Sequence, residues 1–268
     1  MKKLDLTLVS MFILTLTVAL ISTYLFLKNT CTSLPYNYSC FSFWENVRCG
    51  NIGGSFMLTM PTIIVIGCCH RFFQKIKTGY FKNSLNRVDY TKYIRKEILK
   101  TYLKSFLIVP LVSLIIFLLG LLFYGTNIPL TNGVQMQEYI SFFDYSNNLF
   151  LFVIGYSFLT CLFSFLSINI GLILGRFINK FYLLILAVYV TFTAINFILV
   201  FNVFGKIAEF FIKDNLKNQL NLYALYNPSL SIQSLPLNII MYLLLLLIST
   251  IIVYVLYKNK EKLVLENA

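Results

Sequence analysis

Charge is scarce in this chain. Only 12% of its 268 residues are Asp, Glu, Lys or Arg, about half the share of a soluble domain, so too few exist to coat a water-facing surface. Histidine is almost missing. His70 stands alone, which excludes an H-E-x-x-H helix and any multi-histidine metal centre. The 6 cysteines are too few, in a chain this long, for a disulfide-knotted secreted domain. No G-x-x-x-x-G-K-[ST] run occurs, so the chain carries no P-loop of its own. What is plentiful is apolar: 58% of residues are hydrophobic, with 26 Phe and 18 Tyr, and the mean hydropathy is +0.78. That content excludes a disordered chain. A polytopic membrane protein remains.

Six stretches are long and apolar enough to cross the hydrocarbon as helices, at about 7–27, 53–70, 102–124, 148–172, 181–204 and 237–257. Lipid offers no partner for a bare strand edge, so the expected fold is all-α, one transmembrane domain over 1–268. The first stretch is longer than a signal-peptide core and has no small-x-small cleavage site after it, so it is expected to be retained. Pro61 predicts a kink in the second.

The net charge is +12, and its placement has a direction. With the N-terminus inside, 17 Lys and Arg fall in cytoplasmic segments and 5 outside, which predicts both termini in the cytoplasm. The basic residues flank spans and form no separate domain, so the charge reads as topology and attraction to anionic membrane lipid, with no nucleic acid as partner. No charged residue lies deep in any span. Ion-coupled pumps use intramembrane carboxylates, so proton- or sodium-driven transport is disfavoured.

The segment 71–101 is basic and amphipathic. Leu85 and Val88, and Ile94 and Ile98, are spaced for helix faces. Gly79 is expected to break the segment into two short helices, with Asp89 capping the second. It lies on the inner leaflet or docks a cytoplasmic partner. The first outer loop holds Trp44 and the equally spaced Cys31, Cys40 and Cys49; Cys40 could pair with either neighbour. The last outer connection, 205–236, reads as a helix and turn forming a lid or re-entrant pair, or as a plain loop. In the fourth span Ser157, Thr160, Ser164, Ser167, Gly171 and Gly175 recur at helical spacing as one small, hydroxyl-bearing stripe. Such a stripe packs helices or lines a substrate path, with Ser157, Thr160, Ser164 and Asn196 as path candidates. Asn169 is another buried polar candidate.

This organisation resembles the permease subunits of bacterial type-2 ABC exporters. The six spans, the inside termini and the long basic first cytoplasmic loop carry the resemblance. Within KTGYFKNSLNRVDYTKYIRK, Gly79, Leu85, Arg87, Tyr93 and Lys96 fall in the order of the family's coupling helix and the basic opening of its third span. The outer segment ending near LYNPSL also resembles the family's re-entrant helices. Lys75 and Lys77 stand where the family often has an acidic residue before the Gly. The resemblance implies docking of a separate cytoplasmic ABC ATPase at Gly79, Tyr80, Leu85, Arg87 and Val88. It also implies a second permease chain, identical or homologous, with ATP and Mg in the partner and neither cofactor nor catalysis in this chain. The expected cargo is hydrophobic or amphipathic: a peptide, lipid or drug. A membrane-embedded immunity or sensor protein that binds a peptide without transporting it, and an intramembrane enzyme using His70, are the alternatives.

Overall fold

The structure is a computed structural model. It describes residues 54–77, 89–124, 149–200 and 235–258, together with helical positions Ile13, Leu16, Thr17, Leu20, Ile21, Tyr24, Cys40, Phe43, Trp44 and Val47. Apart from Asp89 and the turn 178–180 the described residues are helical, with five continuous helices: α1 (Gly54–Lys77), α2 (Tyr90–Tyr124), α3 (Leu149–Phe177), α4 (Phe181–Val200) and α5 (Leu235–Lys258). Three of them, α2, α3 and α5, contain stretches long and apolar enough to cross a membrane.

The helices outrun the hydropathy that predicted them. Residues 71–77, expected as the first short helix of the basic connection, are helical and continue α1 to Lys77. α2 begins at Tyr90, where the expected Asp89 cap places a helix start, and runs 35 residues without a break through the third predicted span. Apolarity stops where water starts, but Lys, Arg and Glu are good helix formers and extend the helix past that boundary. Asp89 starts α2: its Oδ1 accepts from the Thr91 backbone N–H at 3.2 Å, satisfying a donor that the first turn leaves without an intrahelical partner. Helix continues through Pro61 in α1 and Pro110 in α2.

The core is built around α3. It packs against α1, α2, α4 and α5. Its apolar window is 61% buried, against 17% for that of α5, which leans chiefly on α3 and leaves a broad leucine-rich face uncovered. Gly171 lets α1 and α3 approach closely: a Cβ there would lie 2.8 Å from Val65 Cγ2. Gly175, one turn on, meets Phe73 and Leu184 at ordinary distances of 3.5 and 3.6 Å.

Expectations for the first span rest on six of the isolated positions, all helical; the others of 7–27 lie outside the described residues. Residues 78–88 and 205–234 also lie outside them.

Candidate functional site

Two places in the bundle gather polar chemistry. The first is the end where α1, α3 and α5 stop and α2 and α4 start, called here the basic end. Glu97 is the centre of it. It faces inward on α2 and is only 8% exposed. Lys75 of α1 donates to its Oε2 at 2.5 Å and Lys100 to its Oε1 at 2.5 Å. Burial opposes the charge on Glu97, but the bonds and charges of the two ammoniums outweigh it and hold the carboxyl below its ordinary value. A carboxylate held this way clamps the last turn and a half of α1 to the second turn of α2.

Other contacts close the same end. Lys77 Nζ donates to Asn179 Oδ1 at 2.9 Å, tying α1 to the α3–α4 turn. The Tyr90 phenol donates to the Tyr257 carbonyl at 2.6 Å, and the Tyr257 phenol donates to the Leu172 carbonyl at 2.9 Å. Burial pushes the Tyr90 phenol above its usual value, and the positive charge of Arg176 pulls it partly back. His70 packs edge-on against Phe181, ring centroids 4.5 Å apart.

The second place lies toward the opposite end. Cys40, Phe43, Trp44 and Val47 are helical and fully buried. Their spacing of three, four and seven is one helix face, and that face packs into the bundle. They are therefore part of the packed bundle and not of the outer loop expected from hydropathy. The indole Nε1 of Trp44 donates to the backbone carbonyl and the hydroxyl of Ser113, both at 3.1 Å. The Ser113 hydroxyl also pairs with that of Ser157 at 2.9 Å, and Trp44 sits edge-on to Tyr156. Ser113 lies eleven residues inside the end of α2 at Tyr124, about 16 Å along the axis. The ring is therefore seated deep between α2 and α3. Gly120 makes room: a Cβ there would lie 2.8 Å from Phe43 Cδ1 and 2.9 Å from the Cys40 carbonyl oxygen.

The hydroxyl stripe of α3 faces the packed interior. Ser157, Thr160, Ser164 and Ser167 are fully buried. Their hydroxyls donate to the carbonyls of Val153, Ser157, Cys161 and Phe163 at 2.6, 2.5, 2.8 and 2.9 Å. They satisfy themselves on their own helix, as isolated hydroxyls in apolar helices do; Ser157 alone of the four also reaches α2. Asn169 is the stronger cross-helix group. It accepts from the Tyr102 phenol of α2, and its Nδ2 donates to Ser249 Oγ at 2.8 Å and Thr250 Oγ1 at 3.1 Å of α5.

Of the remaining predicted residues, Gly79, Tyr80, Leu85, Arg87 and Val88 lie outside the described residues, as do Cys31 and Cys49, so the disulfide question lies outside them too. Asn196 is on α4, and its side chain lies outside the described part. Sequence reasoning missed Glu97 and Trp44. A lone acid in a basic run was the signal for the first; the apolar spacing of Cys40, Phe43, Trp44 and Val47 was the signal for the second. Among the described residues, no group of three His, Cys, Asp or Glu side chains is placed to hold a metal ion.

Comparison with known protein families, with curated proteins and with solved structures gives no match.

Proposed function

We propose that the chain is the transmembrane permease subunit of an ATP-driven ABC exporter in a bacterial cell membrane. It crosses the membrane six times with both termini in the cytoplasm, and the basic end of the bundle is the cytoplasmic end. A second permease chain completes the path, and a separate ATPase binding ATP and Mg supplies the energy. The cargo is hydrophobic or amphipathic.

The observation that supports this reading best is the Glu97 brace. Residues 78–88 join two helix ends that Lys75 and Glu97 tie together. A partner pressing on that connection would move α1 and α2 as one body. The Tyr90–Tyr257 contact would pass the motion to α5, and rigid-body rocking of this kind is how packed helices exchange access between two sides.

Copurification of the full chain from membranes tests the reading. A P-loop ATPase should come with it, and ATP hydrolysis should require both chains. Changing Gly79, Leu85 or Val88 should release the partner. Uphill cargo movement by this chain alone, with no nucleotide-hydrolysing companion, would refute the proposal.

A further inference from the structure

The first turns of α2 carry two kinds of residue on one exposed face. Lys92, Arg95 and Lys96 are exposed, and no ion pair engages them among the described residues. The acid nearest in sequence, Glu97, points to the opposite face and is occupied by Lys75 and Lys100. Asp89 is exposed at the cap, at the tip of the helix, with its Oδ1 turned to Thr91. Directly beyond the cations on the same face come Leu99, Leu103 and Leu107, exposed by 57%, 52% and 67%. At 100° per residue these six side chains fall within one sector of about 120°, and Lys96 and Leu103 are about 10 Å apart along the axis.

That distance is close to what separates a lipid phosphate from its acyl chains, since the headgroup zone of each leaflet is about 5–7 Å deep and lysine stems reach a few ångströms further. A water-soluble acidic protein could satisfy the cations but would leave Leu103 and Leu107 bare at hydrocarbon depth. An anionic phospholipid satisfies both with one molecule. We propose that this face of α2 is a binding site for an anionic phospholipid, with Lys92, Arg95 and Lys96 around the phosphate and Leu99, Leu103 and Leu107 along an acyl chain. The proposal rests on the membrane-spanning reading above and is independent of the ATPase.

The test uses the full chain in phosphatidylcholine vesicles containing roughly one-fifth phosphatidylglycerol. Spin-labelled lipids read the preference of the protein's boundary shell for one headgroup over the other. The unsubstituted chain should prefer phosphatidylglycerol, and Lys92→Gln, Arg95→Gln and Lys96→Gln together should lower that preference by about fivefold or more. Removing three exposed cations elsewhere at the same end (Arg71→Gln, Lys180→Gln, Lys258→Gln) should lower it much less. An equal loss in both variants would mean diffuse surface attraction and would overturn the site. So would an unchanged preference in the first variant combined with loss of a copurifying ATPase, which would assign the face to that partner. On the unsubstituted chain, phosphatidylglycerol with a photoreactive acyl chain should label the peptide spanning 99–107; labelling confined to other segments would overturn the site without any substitution. A chain that stays in the vesicle membrane after alkaline washing yet fails these tests refutes the site alone. A chain removed by that wash refutes the membrane reading with it.

Discussion

The seat of Trp44 makes the sharpest prediction. Gly120→Val places branched carbon where a Cβ already stands 2.8 Å from a Phe43 ring carbon, 2.9 Å from the Cys40 carbonyl oxygen and 3.3 Å from the Cys40 Cα. The phenyl edge can swing aside, but the Cys40 backbone moves only if its helical turn moves. Overfilling a packed site of this kind costs about 1–3 kcal/mol. The directional contacts that hold the turn in place are of similar size, and a valine that fits no rotamer here also forfeits part of the packing of Phe43. The indole hydrogen bond contributes about 1 kcal/mol, and the edge contact of Trp44 with Tyr156 about 0.5–1.5 kcal/mol. The valine should therefore displace the 40–47 face from between α2 and α3 in a large share of molecules. Trp44 is the only tryptophan in the chain, so intrinsic emission reports it alone. Reconstituted wild-type protein should emit in the blue and resist iodide quenching; Gly120→Val should shift emission to the red and become readily quenched. Ser113→Ala removes one of the two acceptors but keeps the Ser113 carbonyl, so its emission should stay near wild type. Unchanged emission and quenching in Gly120→Val would refute the seat.

Glu97→Gln should destabilise the bundle by about 2 kcal/mol, between the small worth of surface ion pairs and the large cost of breaking fully buried ones, because Lys100 is half exposed. Since the folded carboxyl titrates below its ordinary 4.5, this contribution is complete at neutral pH and fades only as pH falls below about 4.5. Thermal melts in detergent should therefore show the wild-type advantage shrinking in acid; an advantage independent of pH would count against an ionised Glu97. Gly171→Ala forces Cβ against Val65 and should cost about 1–3 kcal/mol, whereas Gly175→Ala meets only ordinary contacts and should leave stability unchanged or raise it by up to about 1 kcal/mol through helix propensity; equal melts for the two would contradict the close approach of α1 and α3. Asn169→Leu should cost about 0.6–1.7 kcal/mol, measured by the same melts, and Tyr102→Phe in that background should add little, because its partner is already gone.

Long apolar runs were readable because hydrocarbon thickness demands them, and α2, α3 and α5 sit where those runs lie. Their ends were less readable. Hydropathy alone ends α1 near His70 and starts α2 near Tyr102; the Asp89 cap, legible in the sequence, marks where α2 starts, and helix propensity carries α1 on to Lys77. The burial of Trp44 escaped because four apolar residues at helical spacing are far too short to register as a span. Glu97 escaped because sequence places it among lysines without saying which of them turn inward. The hydroxyl stripe was visible as a pattern, but only the packing of α2 and α5 on α3 separates Ser164, bonded to its own helix, from Asn169, bonded to two others.

The contacts of α5 have a mechanical consequence. Asn169 engages Ser249 and Thr250, and the Tyr257 phenol engages the Leu172 carbonyl. These anchor points lie seven to eight residues apart on α5, roughly 11–12 Å along its length. One anchor would still permit α5 to pivot on α3; two at different heights forbid both spinning and sliding. The pair α3–α5 therefore travels as a single lever, α2 is pinned to it in the same way through Tyr102–Asn169, Ser113–Ser157 and Tyr90–Tyr257, and shear inside the bundle falls on the seams of α1 and α4.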